Sequence, residues 1–228
     1  MKRASAGSYD LNRWLHGGYE SDIITVIYGP PGSGKTNFCI LAAVSQAKKG
    51  NKVLFIDSEG GFSVDRISQI AGSQTAEVLK NIVVLKPTNF EEQAEAFTQL
   101  SKYVKNNLGL IVVDGMTILY RLAFAIARQH DEEGIKKVNS ELVREMQLLA
   151  EISRKNQIPV ITTNQVYRWE DEQKMVAGDI MKYWCKCLIE LSNEKGKRIA
   201  RLCKHRSLPE SEMAFYIINE GIKKRGWI

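Results

Sequence analysis

The sequence predicts an α/β fold with a mostly parallel central sheet, helices on both faces and antiparallel strands at the C-terminal end. Three observations carry this. Apolar, β-branched runs alternate with amphipathic helical stretches. A glycine-rich loop joins the first such run to a helix. After Lys182 the helical stretches stop and short strand-like runs follow one another.

In chain order, the apolar runs are Ile23–Tyr28, Val53–Asp57, Ile82–Leu85, Leu110–Asp114 and Ile158–Thr163. Their apolarity is continuous rather than alternating, which predicts strands covered on both faces and hence a parallel sheet. A helix is expected over Thr36–Lys49, stopped by Gly50 as a natural C-terminal cap. Asn89 and Glu92 form a capping-box-like start for a helix reaching about Asn106. A third helix is expected from Gly134 to Lys155, with Val138, Leu142, Met146, Leu149 and Ile152 on one stripe. Cys187–Leu191, Arg198–Cys203 and Met213–Ile218 read as strands, the first two joined by a polar turn over Ser192–Gly196.

The 228 residues show no internal repeat and no Pro/Gly-rich linker, so one domain spanning 1–228 is expected. With 25 % charged and 44 % hydrophobic residues, the composition excludes a disordered, collagen-like or coiled-coil chain. Apolar runs such as Leu108–Val113 fall far short of the ~18 residues a membrane span needs, so no membrane partner is expected. The N-terminal segment has no apolar core of a secretory signal, and a cytoplasmic location is expected. The four cysteines have no zinc-site spacing and read as small buried hydrophobes. A net charge of +6 permits a polyanionic partner. Its densest run, Lys195–Arg206, holds six Lys/Arg and no acid.

Gly29-Pro30-Pro31-Gly32-Ser33-Gly34-Lys35-Thr36 matches G-x₄-G-K-[ST] in full. Such a match arises by chance in roughly 1 % of chains this long. It follows an apolar strand and opens a helix, as phosphate binding requires. Backbone N–H groups would cradle phosphate oxygens, Lys35 would reach the β- and γ-phosphates, and the Thr36 hydroxyl would ligate Mg²⁺. Asn37 continues the same segment. Asp114, ending a buried strand, suits the Mg²⁺ site. Glu59 lies just past the second strand. If that strand neighbours the phosphate-loop strand, Glu59 reaches the γ-phosphate region as a general base. Gln165, at another strand tip, could sense the γ-phosphate and signal to the loop that follows. The sequence holds no N-K-x-D guanine-reading motif, which favours ATP over GTP. Small-molecule kinases avoid a hydrolytic Glu, so Glu59 argues against one.

Taken in order, the phosphate loop, Asp57-Ser58-Glu59, LIVVDG and Thr163-Asn164-Gln165-Val166 resemble a RecA-family ATPase core. The resemblance is to the archaeal and eukaryotic recombinase branch, and within it to short archaeal paralogues of the recombinase RadA. The segments YGPPGSGKTN, MTILYR and SLPESEMAF carry it, with Lys204-His205-Arg206. It implies a RecA-like core, ATP and Mg²⁺ as ligands, and weak ATP hydrolysis. The implied role is accessory to homologous recombination and DNA repair, without strand exchange of its own. Implied partners are DNA (single-stranded preferred, branched as well), RadA recombinase, a Holliday-junction resolvase, and further copies of the chain. By the same resemblance Glu59 is the hydrolytic base, Gln165 the switch between nucleotide and DNA, and Arg66 stacks on adenine. The two DNA loops would fall at Arg121–Glu133 and Val166–Met181. Contacts there would come from Arg121, Arg128, Tyr167, Arg168, Trp169, Lys174 and Lys182.

The departures are as informative. The helix-hairpin-helix domain of full recombinases is not expected. Phe124-Ala125-Ile126-Ala127 has the F-x-x-A form of their linker peptide but reads as helix packing. The second loop holds Glu170, Asp171, Glu172 and Asp179 against Arg168, Lys174 and Lys182, poor for gripping phosphates. At Lys204, where full recombinases carry an acid, three readings stay open. Lys204 and Arg206 could reach a neighbouring subunit's γ-phosphate, the tripeptide with His205 could contact DNA, or the segment could be a solvated strand end. A KaiC-like signalling ATPase, a small-molecule P-loop kinase and a nucleotide-gated scaffold remain as alternative functions.

Overall fold

A computed structural model of the chain describes residues 2–104, 107–129, 131–170, 172–194 and 196–226, with only the backbone of Trp169. The chain opens with β1 (Arg3–Ala4), α1 (Tyr9–Trp14) and β2 (Tyr19–Glu20), and β1 and β2 form a small antiparallel pair. The α/β core follows as β3 (Ile24–Gly29), α2 (Lys35–Lys48), β4 (Lys52–Asp57), α3 (Val64–Ala71), α4 (Thr75–Lys80) and β5 (Ile82–Leu85). It continues through α5 (Phe90–Thr98), α6 (Leu100–Val104), β6 (Leu108–Asp114), α7 (Ile118–Ala127) and α8 (Glu132–Asn156). Then come β7 (Val160–Trp169), β8 (Glu172–Met175), α9 (Gly178–Trp184), β9 (Cys187–Glu194), β10 (Lys197–His205), β11 (Ser211–Ile218) and β12 (Gly221–Lys224).

The main sheet has the order β12-β11-β10-β9-β3-β7-β6-β4-β5, with β8 paired to β7. Strands β9, β3, β7, β6, β4 and β5 run parallel, and β10, β11 and β12 are added antiparallel. This is the expected fold class. The continuous apolar runs are explained by what covers them. In β4, Val53 and Phe55 face one core with α2 and α3, while Leu54 and Ile56 face the other with α5, α7 and α8. In β6, Leu110 and Val112 divide from Ile111 and Val113 in the same way. Each fully buried Val, Leu or Ile contributes ~1.5–3 kcal/mol of burial, which favours apolar residues on both faces of β4 and β6.

The structure corrects several boundaries. The strand expected to stop at Thr163 runs on to Trp169 and pairs with β8, so the second expected DNA loop is largely a hairpin followed by α9. The β-branched Val166 and the aromatic Tyr167 and Trp169 favour continued extended backbone. Arg121–Glu133 is mostly helix, because Ile118–Ala127 is rich in Leu and Ala and α8 already starts at Glu132. Phe124 packs there against the core and against Tyr120, with ring centroids 5.8 Å apart. The helix expected to reach Asn106 breaks at Gln99 into α5 and α6, and Asn106 lies outside the described residues. At its start Asn89 caps the Glu92 N–H at 2.8 Å, but the Glu92 carboxylate accepts from Thr88 rather than from the cap residue. Cys203 is only half-buried, unlike the other three cysteines.

One buried polar cluster fixes the loops above the sheet. Gln93 of α5 donates to Glu145 Oε2 of α8 at 2.8 Å and to the Met116 carbonyl at 3.3 Å, and accepts from the Ser58 hydroxyl at 3.2 Å. It therefore ties the segment after β4 to the segment after β6. Burial pushes the Glu145 carboxyl up to about 8, so the folded chain holds a proton there that the unfolded chain loses near pH 4.5. Stability from this group should then fall as pH rises from about 5 to about 8, by roughly 1 kcal/mol per pH unit. Glu145→Gln, a neutral near-isostere, is expected to flatten that slope in urea denaturation at pH 5, 6.5 and 8. An unchanged slope would refute a neutral Glu145.

Candidate nucleotide site

The candidate site lies at the C-terminal ends of the parallel strands, where open α/β sheets bind ligands. The loop between β3 and α2 ends at Gly34, whose φ of +111° makes the left-handed turn into the helix. Lys35 is buried. Its ammonium donates to the carbonyls of Gly29 at 3.0 Å and Pro30 at 3.1 Å, bending the side chain back over the loop. Burial lowers its pKa, with the Glu59 and Asp114 carboxylates opposing. A cation this desolvated is set to gain from an anionic phosphate.

Asp114 is fully buried, and one carboxylate oxygen, Oδ1, accepts from the Thr163 hydroxyl at 2.7 Å. That hydroxyl also accepts from the Gly115 N–H at 2.7 Å. The second oxygen, Oδ2, makes no hydrogen bond of good geometry, although the Thr36 hydroxyl is near enough to lower the Asp114 pKa. Burial raises the Asp114 carboxyl to about 6, against hydrogen bonding that lowers it. A Cβ placed on Gly61 would lie 3.2 Å from Thr36 Oγ1 and 3.3 Å from Asp114 Oδ2, so these two oxygens flank one small space. Asp57 holds the backbone there by accepting from the Gly61 and Phe62 N–H groups at 2.9 and 3.1 Å.

Glu59 corrects one expectation. Strand β4 does not neighbour β3; β6 and β7 stand between them. The segment after β4 instead crosses the end of β6, passing so close that a Cβ on Gly115 would lie 3.1 Å from the Glu59 Cβ. That crossing brings Glu59 Oε1 within 2.7 Å of Gln165 Nε2 on β7. Its Oε2 is buried without a partner. Ser33 Oγ is likewise orphaned.

Three unsatisfied oxygens and a desolvated lysine converging on one glycine-rich loop fit a magnesium–nucleotide complex. Thr36 and Asp114 would hold Mg²⁺, which supplies charge neutralisation on the phosphates. Gly61→Ala is expected to crowd this space and weaken Mg-nucleotide binding at least about fivefold, through an overpacking cost of ~1–3 kcal/mol. Titration with a fluorescent ATP analogue checks it, and an unchanged affinity would refute the assignment of Thr36 and Asp114.

Arg66 on α3 donates from Nε to Asn37 Oδ1 at 2.8 Å and from its other nitrogens to the carbonyls of Ile218 at 2.8 Å and Asn219 at 3.0 Å. These bonds use the edge of the guanidinium and join α2, α3 and the turn before β12. Its planar faces are the surfaces a base would stack on.

The remaining expected residues divide. Arg121 lines a cavity of about 330 Å³ with Leu122 and Gln165. Arg128 follows α7. Tyr167 and Lys174 are cross-strand partners and line a second cavity of about 490 Å³ with Tyr28 and Lys182. Lys174 lies 3.9 Å from Glu172. Arg168 also lies on this hairpin, whereas the Trp169 side chain and Asp171 lie outside the described residues.

Lys204, His205 and Arg206 sit at the other end of the strands from the phosphate loop, since His205 pairs Cys187 and Cys187 pairs Thr25. Lys204 donates to the carbonyls of Lys182 at 2.9 Å and Cys185 at 3.0 Å. His205 Nδ1 accepts from the Ser207 and Leu208 N–H groups at 3.1 and 3.2 Å. Arg206 is ion-paired with Glu20 at 2.6 Å and Asp22 at 2.7 Å. Within the chain, Arg206 thus anchors this segment to Glu20 and Asp22. Local sequence could not show this, because both acids lie some 185 residues earlier. The sequence reading also missed Gly61 and Thr163. The doubled Thr beside Gln165 was the signal for the second.

The Rad51 family model matches residues 1–225. The chain is 38 % identical over 223 residues to the DNA repair and recombination protein RadB of Methanobrevibacter smithii, covering 93 % of this chain and 92 % of that protein. It is 37 % identical over 215 residues to the protein of the same name from Methanocaldococcus jannaschii, covering 93 % and 98 %. A solved structure described as "Crystal structure of the RadB recombinase" superposes with a TM-score of 0.80 at 35 % identity, over 96 % of this chain and 98 % of that one.

Proposed function

The chain belongs to the Rad51 family, and from that premise we propose that it is an ATP- and DNA-binding accessory protein of DNA repair and recombination. It hydrolyses ATP slowly and uses nucleotide state to tune its hold on DNA. The observation that carries this is the 2.7 Å hydrogen bond from Gln165 to Glu59. In this reading Glu59 orients and deprotonates an attacking water, and Gln165 holds the other oxygen of the same carboxylate. Beyond Gln165 the strand becomes the β7–β8 hairpin, so a change at the carboxylate moves a surface element.

Three further bonds strengthen that connection. Val176, which follows the hairpin, donates its N–H to the Gln165 carbonyl at 3.1 Å. Its own carbonyl accepts from the Asn164 side chain at 2.8 Å. Asn164 in turn accepts from the Thr117 hydroxyl at the start of α7. The strand tip, the hairpin and α7 therefore move as a linked set. RadA recombinase and a junction resolvase, as partners, belong to the same reading.

Anisotropy of a labelled single-stranded oligonucleotide with and without Mg-ATP tests it. Wild-type affinity should shift with nucleotide, and Gln165→Ala should keep nucleotide-free affinity but lose the shift. Identical wild-type affinity in the two states would overturn nucleotide tuning.

A further inference from the structure

Helix α9 ends in an aromatic ledge that the nucleotide site does not use, Tyr183 exposed and Trp184 half-buried against the core. Tyr183 is 74 % exposed and packs edge-on against Trp184, with ring centroids 5.4 Å apart at 84°. Beside them is a cavity of about 330 Å³ with an apolar floor of Ile24, Ala150 and Trp184 and a rim that includes Arg154 and Lys186. Lys182 lies one residue before the aromatic pair, on the side that lines the hairpin cavity with Asp179. Neither Lys182, Lys186 nor Arg154 has an ion-pair partner among the described residues. The acid on this rim, Asp22, is engaged by Arg206.

We propose that this ledge is a single-stranded nucleic-acid surface, with Tyr183 and Trp184 stacking bases and Lys182, Lys186 and Arg154 following the backbone. The proposal rests on the DNA-binding reading above and moves the main contact from the β7–β8 hairpin to α9. Charge decides between a strand and a protein. Protein interfaces favour Tyr, Trp and Arg but are depleted in Lys, whereas aromatic faces interleaved with unpaired cations are what a single strand needs. The hairpin is the poorer candidate, since it carries Glu170 and Glu172 and the Glu172 carboxylate lies 3.9 Å from Lys174.

The ledge is also wired to the nucleotide site. Val176, bonded to Gln165 and Asn164, immediately precedes Ala177, the N-terminal cap of α9. At the other end Lys204 grips the Lys182 and Cys185 carbonyls. A seven-residue helix thus spans from the switch residue to the ledge, and a shift at Gln165 is delivered to Tyr183 and Trp184.

The test uses labelled dT30 at several salt concentrations, with Tyr183→Ala, Tyr183→Phe and Lys186→Ala, each checked by thermal melting. Tyr183→Ala should weaken binding roughly 5- to 100-fold, and Tyr183→Phe should restore it. Lys186→Ala should reduce the slope of log affinity against log salt by about 0.7. If the wild type binds, Tyr183→Ala and Lys186→Ala bind equally well, and Tyr167→Ala or Lys174→Ala lose binding, the ledge is wrong and the DNA reading stands. If the wild type does not bind at low salt, both fall.

Discussion

Glu59→Gln is expected to cut ATP hydrolysis by about 100- to 10,000-fold, the usual worth of a positioned general base. Mg-nucleotide affinity should stay within about threefold, well inside 1 kcal/mol. The asymmetry follows from the geometry. Phosphate binding falls to the β3–α2 loop, Lys35 and Thr36, none of which bonds Glu59. The lost property is a carboxylate with one oxygen held by Gln165 and the other buried without a protein partner. An amide at that place keeps the shape and cannot accept the proton of water. Phosphate release under saturating Mg-ATP measures the effect, with analogue titration as the binding control. Turnover within tenfold of wild type would remove Glu59 from the mechanism. Gln165→Ala makes the informative contrast, because it should spare hydrolysis far more than Glu59→Gln while uncoupling DNA.

The second large effect is structural. Glu20→Ala is expected to cost about 3 kcal/mol, the lower end for breaking a buried ion pair, and to lower Tm by roughly 6–12 °C. The Glu20 carboxylate is fully buried and accepts from Arg3 and Arg206 at 2.6 Å each and from the Ser207 hydroxyl at 2.7 Å. Burial alone would raise its pKa, but the bonds from Ser207 and Arg206 outweigh it and the net shift is downward. A carboxyl lowered on folding contributes stability above its ordinary range and loses it as pH falls through the folded value. Wild type should therefore lose more stability than Glu20→Ala between pH 6 and pH 3. Removing the carboxylate leaves two guanidinium groups half-buried with one fewer anion and frees the segment carrying Lys204, His205 and Arg206. Differential scanning calorimetry decides it, and a Tm within 2 °C of wild type would mean that solvent replaces Glu20 at no cost.

Much of the fold was legible because its signals are local. Five apolar runs became five strands of one sheet, since a strand covered on both faces is built mainly of apolar residues. The glycine-rich loop announces itself because backbone that wraps a phosphate needs left-handed turns at fixed spacing. Asp114 and Gln165 were found as polar residues ending such runs. Elsewhere the sequence misled. Arg121–Glu133 looked like a loop by family position, yet its Leu and Ala content makes helix. Val166–Met181 looked like a loop, yet its β-branched and aromatic residues extend β7 into a hairpin with β8.

By itself, then, the sequence determined the α/β class, the phosphate loop and the residues available at the strand tips, because each depends on neighbours within a few positions. Only the tertiary structure decided which tips meet. Sequence proximity suggested that Glu59 reaches the nucleotide from an adjacent strand, but strand order is set by how crossover helices pack on the two faces. That packing put β6 and β7 between β4 and β3, and Glu59 arrives by crossing Gly115. The same applies to Arg206: its acids, Glu20 and Asp22, are distant in sequence and became neighbours when β10 was laid antiparallel beside β9. Charge pairing over such separations is a property of the assembled sheet, and nothing within a short stretch of sequence encodes it.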